Sequence, residues 1–282
     1  MVRLSRRAPC KWGRKALNRP TLEISGLCKR FGGIVVADHL NLVIGGGEIV
    51  GLIGPNGAGK TSVFNLITGF VSADAGAISI NEQRIDRLPA HARARAGVAR
   101  TWQNARIFTS LSVFDNLLIG ARDYPGATLF NNIFRRGALL QARATQGDRA
   151  EQILKRIHLT DKAEVFASEL SFGQQKLLAI GRALMNNGPC LLLDEPMAGV
   201  AGHIHETIGE VIRAEAAAGT AVCLVEHNVG FVRELCHRGV FMFAGKVMAD
   251  GPVDQLLEDP RLTELYFGTK PVKDLPLVGV LT

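Results

Sequence analysis

The chain has 282 residues, 47% of them hydrophobic, and a formal net charge of +7; that is ample apolar material for one large domain or two modest ones and too much for a disordered tail. No uninterrupted apolar stretch reaches eighteen residues, so the chain is not expected to span a membrane by itself. The charge does not describe a nucleic-acid surface, because residues 1–20 hold seven basic side chains and no acidic one, and the rest of the chain carries 26 basic against 26 acidic residues. This basic arm either touches anionic lipid headgroups or is a solvated extension; the second reading is preferred, since the arm lacks the apolar centre of a signal peptide and any clear helical stripe. The five cysteines (Cys10, Cys28, Cys190, Cys223, Cys236) show no metal-ligand or redox spacing and are read as reduced thiols of a cytoplasmic protein.

In chain order, residues from Thr21 to Ile53 are predicted to form short strands separated by turns at Phe31-Gly32-Gly33 and Gly45-Gly46-Gly47. Glu48 to Ile53 is a buried-strand candidate, and Lys60 to Thr68 follows as a helix. From Val113 to about Leu170 helical signals predominate, as in Glu151 to His158, where Ile153, Leu154 and Ile157 share one apolar face. Tyr124 to Gly137 is read as a partly exposed loop or a short surface helix. A helix is expected over Gln174 to Met185, buried strands at Cys190 to Leu193 and Ala221 to Val225, and a helix between these strands over Ile204 to Ala218. Strands alternating with helices predict an α/β core with a mostly parallel sheet, interrupted by an inserted helical subdomain.

Between the first buried strand and its helix lies Gly54-Pro55-Asn56-Gly57-Ala58-Gly59-Lys60-Thr61, a P-loop pattern in the strand–turn–helix context that motif needs. Its glycines permit tight turns, so that consecutive N–H groups can bind phosphate oxygens at a helix N-terminus, with Lys60 reaching the β- and γ-phosphates and Thr61 available to Mg²⁺. A phosphate loop needs a carboxylate for the metal. Asp194 and Glu195, at the end of an apolar strand, supply one to hold Mg²⁺ through water and one to polarise the attacking water. By itself such a strand end is a plain turn; beside the P-loop the catalytic reading is preferred.

Leu170-Ser171-Phe172-Gly173-Gln174-Gln175 resembles the signature sequence of ABC ATPases, although taken bare it is only a helix cap. Gln103, in Arg100-Thr101-Trp102-Gln103-Asn104-Ala105-Arg106-Ile107-Phe108, resembles the Q-loop glutamine of that family, His227 in Val225-Glu226-His227-Asn228 its switch histidine, and Phe31 the aromatic that stacks on adenine, with core packing as the alternative for Phe31. These motifs in this order resemble an ABC-transporter ATPase over nearly all of residues 21–268. The long stretch between Gln103 and the signature, Glu195-Pro196-Met197-Ala198-Gly199-Val200 and the ending Leu265-Tyr266-Phe267-Gly268 add a likeness to importer subunits for branched-chain amino acids and related solutes such as urea.

The resemblance implies a P-loop NTPase (RecA-like) core with a mostly parallel sheet, an antiparallel β subdomain and a helical subdomain at about 104–170, flanked by the 1–20 extension and a 269–282 tail. It implies ATP and Mg²⁺ as cofactors. ATP would be held by Phe31, by Gly54 through Ser62 and, from a second subunit, by Ser171, Gly173 and Gln174; the metal by Thr61, Gln103 and Asp194; and catalysis would fall to Glu195, His227 and Gln103. The implied partners are membrane permease subunits, a second ABC ATPase subunit and, indirectly, a solute-binding protein, at the cytoplasmic face of the inner membrane; that the second subunit is non-identical is expected from Ala201, which lacks the polar side chain that would connect the two ATP sites. An exporter or lipid-extraction ATPase is the runner-up. A soluble cassette acting on DNA or ribosomes is disfavoured by the neutral body and the lack of a coiled-coil insertion or second cassette, and a catalytically dead cassette by the intact Lys60, Asp194, Glu195 and His227. Two departures from the family pattern stand out: the basic arm, and Ala201, where relatives carry Asn or Asp after the Ala198-Gly199 pair and one apolar residue.

Overall fold

The computed structural model describes residues 20–122 and 136–267. The basic extension except Pro20, nearly all of the Tyr124–Gly137 stretch, and the chain from residue 268 onward lie outside the described residues.

The main sheet has six strands in the order β10-β9-β3-β8-β7-β6: β3 (Ile49–Ile53), β6 (Val98–Arg100), β7 (Cys190–Asp194), β8 (Ala221–Val225), β9 (Arg238–Phe243) and β10 (Lys246–Gly251). All neighbours pair in parallel except β10, which runs antiparallel to β9. β3, β7 and β8 are buried at every residue, as a parallel sheet covered on both faces requires. Successive side chains point to opposite faces, so Ile49, Ile53, Leu191, Leu193, Val222 and Leu224 enter one core while Val50, Leu52, Cys190, Leu192, Cys223 and Val225 enter the other. The described cysteines Cys28, Cys190, Cys223 and Cys236 are free thiols.

The second core is closed by helix α1 (Lys60–Thr68) and an antiparallel sheet ordered β2-β1-β4-β5, with β1 Pro20–Phe31, β2 Ile34–Gly45, β4 Ala75–Ile80 and β5 Gln83–Arg84. The expectation of short strands up to Ile53 is corrected here: β1 and β2 have 12 residues each and form one hairpin around Gly32 and Gly33. Their register shifts between Ile24 and Leu27, between Leu27 and Lys29, and between Lys29 and Arg30. Each irregularity breaks the alternation that marks a strand in sequence, so one long strand looks like several short ones.

The first core takes α3 (Val113–Ile119), α4 (Arg136–Arg156), α5 (Phe172–Leu184), α6 (His203–Ala217) and α7 (Val229–Leu235), with α8 (Val253–Glu258) and α9 (Pro260–Phe267); the short α2 (Ala90–Arg95) precedes β6. Helix α4 stops at Arg156, earlier than the His158 expected, and His158 takes a left-handed conformation with φ 54°. Ile153, Leu154 and Ile157 are nevertheless all buried. Helix α5 starts two residues before Gln174, with Ser171 as its N-cap, and Met185 is its C-cap. It packs on the sheet and on α3 and α4, so it is the wall shared by the helical segment and the sheet. Among the described residues no helix is long and apolar enough to cross a membrane.

Candidate nucleotide site

Parallel strands deliver the loops that follow them to one sheet edge. Here β3 leads into the Gly54–Gly59 loop, β6 towards Gln103, β7 into Asp194 and Glu195, and β8 towards His227. Asp194 pairs in register with Val225, and Leu52 pairs with the same Val225, which sets the three central loops side by side.

The glycine-rich loop is held tightly. Gly54 has φ 149°, and a Cβ there would stand 2.1 Å from the Met242 carbonyl oxygen; Gly59 has φ 103°, and its Cβ would stand 2.5 Å from the Val36 carbonyl oxygen. Gly59 is also the N-cap of α1 and offers no side chain, and no acidic residue lies in the first turn of that helix. The positive end of the α1 dipole is therefore not neutralised by its own first turn, which suits an anion. Lys60 is only 6% exposed, and its Nζ donates to the carbonyl oxygens of Gly54 at 2.6 Å and Pro55 at 3.0 Å. Burial lowers the Lys60 pKa, and the negative charges of Glu195 and Asp194 oppose that shift. Pro55 and Ser62 are half-buried, Ala58 is buried, and Asn56, Gly57 and Thr61 are exposed around the loop.

Asp194 is 3% exposed, and its Oδ2 accepts a 2.8 Å bond from Arg100 Nη2. Arg100 donates through Nη1 to Asn65 Oδ1 at 2.7 Å, and its guanidinium lies 4.1 Å from the Trp102 ring centroid. Burial lowers the Arg100 pKa, against the opposing effect of Asp194, but an arginine keeps its charge under such conditions. Removing one partner of a buried ion pair strands the other, at a cost of about 3–5 kcal/mol. Arg100→Met should therefore lower the urea unfolding free energy by about that amount, with part of it recovered in the double variant Arg100→Met/Asp194→Asn. Equal stability of Arg100→Met and the parent would show that the pair contributes nothing.

Glu195 sits in a left-handed conformation with φ 48°, and its N–H donates to the Val225 carbonyl at 2.9 Å. One carboxylate oxygen accepts a 2.8 Å bond from Gln103 Nε2, and the other lies 3.1 Å from His227 Nε2. Three residues predicted from separate motifs are thus joined at one point. His227 is 40% exposed on its solvent side. Behind it, buried Glu226 accepts from the N–H of Met197 at 2.7 Å and of His227 at 3.2 Å, and burial raises its pKa.

The structure does not bring Ser171, Gly173 and Gln174 to the glycine-rich loop of the same chain. Ser171 is exposed, its Oγ accepts from Gln174 N–H at 3.3 Å and its own N–H donates to Gln174 Oε1 at 3.0 Å, a reciprocal capping box. The bare helix-cap reading therefore describes what this turn does within one chain. Phe31 ends β1 with 48% of its surface exposed and Lys29 Nζ 5.2 Å from its ring, so core packing is not its role.

Sequence reasoning missed the partners of these residues. In the sequence Arg100 stands only as part of the Gln103 motif and Glu226 only as the neighbour of His227, and nothing marks Lys176; yet buried Lys176 donates to the carbonyl oxygens of Gln103 at 2.7 Å and Glu195 at 3.3 Å. A lysine predicted on the α5 face carries no sign that it is buried. Only the fold places it against loops 73 and 19 residues away.

A glycine-rich loop between strand and helix, with an aspartate and a glutamate closing a parallel strand beside it, defines a P-loop NTPase. The family model described as ABC transporter matches residues 37–198. The high-affinity branched-chain amino acid transport ATP-binding protein BraF of Pseudomonas aeruginosa is 34% identical over 253 residues, covering 89% of this chain and 99% of that protein. LivG of Escherichia coli K12, of the same description, is 35% identical over the same length, and the lipopolysaccharide export system ATP-binding protein LptB of that organism is 35% identical over 88% of this chain and 97% of its own. A crystal structure of the ADP conformation of an ATP-binding cassette of an ABC transporter superposes with TM-score 0.78 at 31% identity, covering 89% of this chain and all of the other. The chain belongs to the ABC transporter family; it is an ATP-binding subunit with the ABC ATPase cassette fold, a cassette that hydrolyses ATP.

Proposed function

We propose that this chain energises an importer, coupling ATP hydrolysis to uptake of branched-chain amino acids or a related small solute through separate membrane permease subunits at the cytoplasmic face of the inner membrane. The observation that carries the catalytic part is the Glu195 carboxylate, held by Gln103 and facing His227 at the strand ends beside the Lys60 loop. On this reading Gly54 to Ser62 cradle the phosphates and Phe31 stacks on adenine. Glu195 takes a proton from the attacking water, Gln103 orients that water, and His227 steadies the γ-phosphate. A hard cation such as Mg²⁺ takes oxygen ligands, and the Thr61 hydroxyl, Gln103 amide oxygen and Asp194 carboxylate form a set of that kind; bound there, the ion supplies charge neutralisation at the phosphate oxygens. The likeness to BraF and LivG supports the solute class and a solute-binding protein as indirect partner; the likeness to LptB supports lipid export as the second reading. Proteoliposomes holding the permeases and ATPases should accumulate labelled leucine, or a solute of similar size, when ATP is inside and the binding protein outside. Outward movement of a lipid instead would sink the importer reading.

The exposed turn at Ser171 is read as acting on the nucleotide of a second ATPase subunit. Ala201, exposed in the loop after Glu195, offers no hydrogen bond where relatives are read as carrying Asn or Asp, so the site built on the partner's P-loop should be the weaker one, and the two subunits non-identical. With Glu195→Gln blocking this chain's own site, Ala201→Asn should speed the remaining turnover several-fold, about what one hydrogen bond of roughly 1 kcal/mol provides. Equal acceleration when the partner's glutamate is blocked instead, or none in either case, would remove the asymmetry.

A further inference from the structure

We propose that Lys176 is a positioning residue for hydrolysis, which sets Gln103 against Glu195 and ties that pair to the signature turn of its own chain. The proposal rests on Glu195 being the carboxylate that activates water. Lys176 is 4% exposed, five residues along α5 from the Ser171 cap. Burying an ammonium is costly unless its donors are taken up, and an apolar side chain of similar length would cover the same ground without that cost. Here the donors go to two backbone carbonyls, those of Gln103 and Glu195. The side chains of the same two residues bond each other, Nε2 to Oε2, at 2.8 Å. A closed ring of contacts results: the ammonium fixes both backbones, and the side chains close the circuit.

The Glu195 backbone needs such support. A left-handed conformation at a non-glycine residue is strained and persists only where its surroundings over-determine it. Glu195 is clamped through its N–H by Val225 and through its carbonyl by Lys176, one element on each side. Hydrogen bonds from a charged donor are among the stronger ones available. The same Nζ lies 5.7 Å from the ring of Phe172, which is 55% exposed on the same turn as Ser171 and Gly173, so the ammonium stands between that turn and the catalytic pair. A displacement of that turn is therefore transmitted to the catalytic pair through one rigid helix and one side chain.

The test uses the assembled transporter, with kcat, KM and equilibrium nucleotide affinity measured for Lys176→Met and Lys176→Arg. A misplaced reacting group costs rate far more than binding. Lys176→Met should lower kcat at least tenfold while nucleotide affinity changes less than twofold, and Lys176→Arg, which keeps donor and charge, should recover much of the loss. In a Gln103→Ala background, where the side-chain link is already cut, Lys176→Met should cost less than it does in the parent. Unchanged kcat, an equal fold loss in both backgrounds, or a joint fall of kcat and affinity without recovery by arginine would overturn the proposal and leave the lysine a prop of the fold. Should Lys176→Met fail to fold, the shorter donor in Lys176→Gln is read by the same criteria. Glu195→Gln run in parallel separates the two ideas: parent-rate turnover there rejects the catalytic assignment whatever Lys176 does.

Discussion

Glu195→Gln is expected to stop ATP turnover while leaving ATP binding intact. Glutamine has nearly the same shape, and its amide oxygen can still accept from Gln103 Nε2, which now bonds the carboxylate at 2.8 Å. What is lost is a group able to take a proton from water, and general-base catalysis is worth roughly 10²- to 10⁴-fold. The Lys60 loop, which does not depend on Glu195 for its hydrogen bonds, should keep its affinity. The Asp194–Arg100 pair is likewise unaltered, so stability should be near that of the parent. Single-turnover hydrolysis measures the loss directly, and on the proposed reading, in which the Ser171 turn acts on a second subunit's nucleotide, unhydrolysed ATP should hold two subunits together as a dimer in gel filtration. A variant that hydrolyses at the parent rate would show that Glu195 is not the catalytic carboxylate.

Lys60→Ala should abolish measurable ATP binding. The lysine is the one cation in the Gly54–Thr61 loop, and its Nζ is already aimed along the loop by the carbonyls of Gly54 and Pro55. Charge-assisted bonds contribute about 1.5–3 kcal/mol each; two of them to phosphate oxygens amount to a loss of about a hundredfold or more in affinity. Removing a buried ammonium also removes its desolvation cost, so the thermal midpoint should fall little. Equilibrium titration with a fluorescent ATP analogue reads the effect, and undiminished affinity would reject the phosphate-loop assignment.

The local part of this architecture is legible in the sequence. Helix α1 begins and ends at Lys60 and Thr68 as the sequence predicts, and β8 spans Ala221–Val225 as predicted, because buried strands are short apolar runs and helices repeat every three to four residues. The glycine-rich loop was recognisable because Gly54, Gly59, Lys60 and Thr61 are neighbours along one chain segment. Less was legible in β1 and β2, where register shifts hide two 12-residue strands behind a broken alternation, and in α4, which ends at Arg156 with His158 rather than a glycine in the left-handed conformation that follows it.

By itself the sequence determined which groups bear charge, which loops can turn sharply and which segments are apolar enough to be inside, since these depend on residues within a few positions of one another. The tertiary structure alone decided which of those groups meet. Asp194 is held by Arg100 from 94 residues away, Glu195 by Gln103 from 92, and Lys176 reaches back 73 residues to Gln103. Such pairings leave no periodic trace in the chain. They arise because parallel strands bring separate loops to one edge of the sheet and because α5 packs against that sheet, and an ion or donor buried there is stable only with the partner the packing supplies.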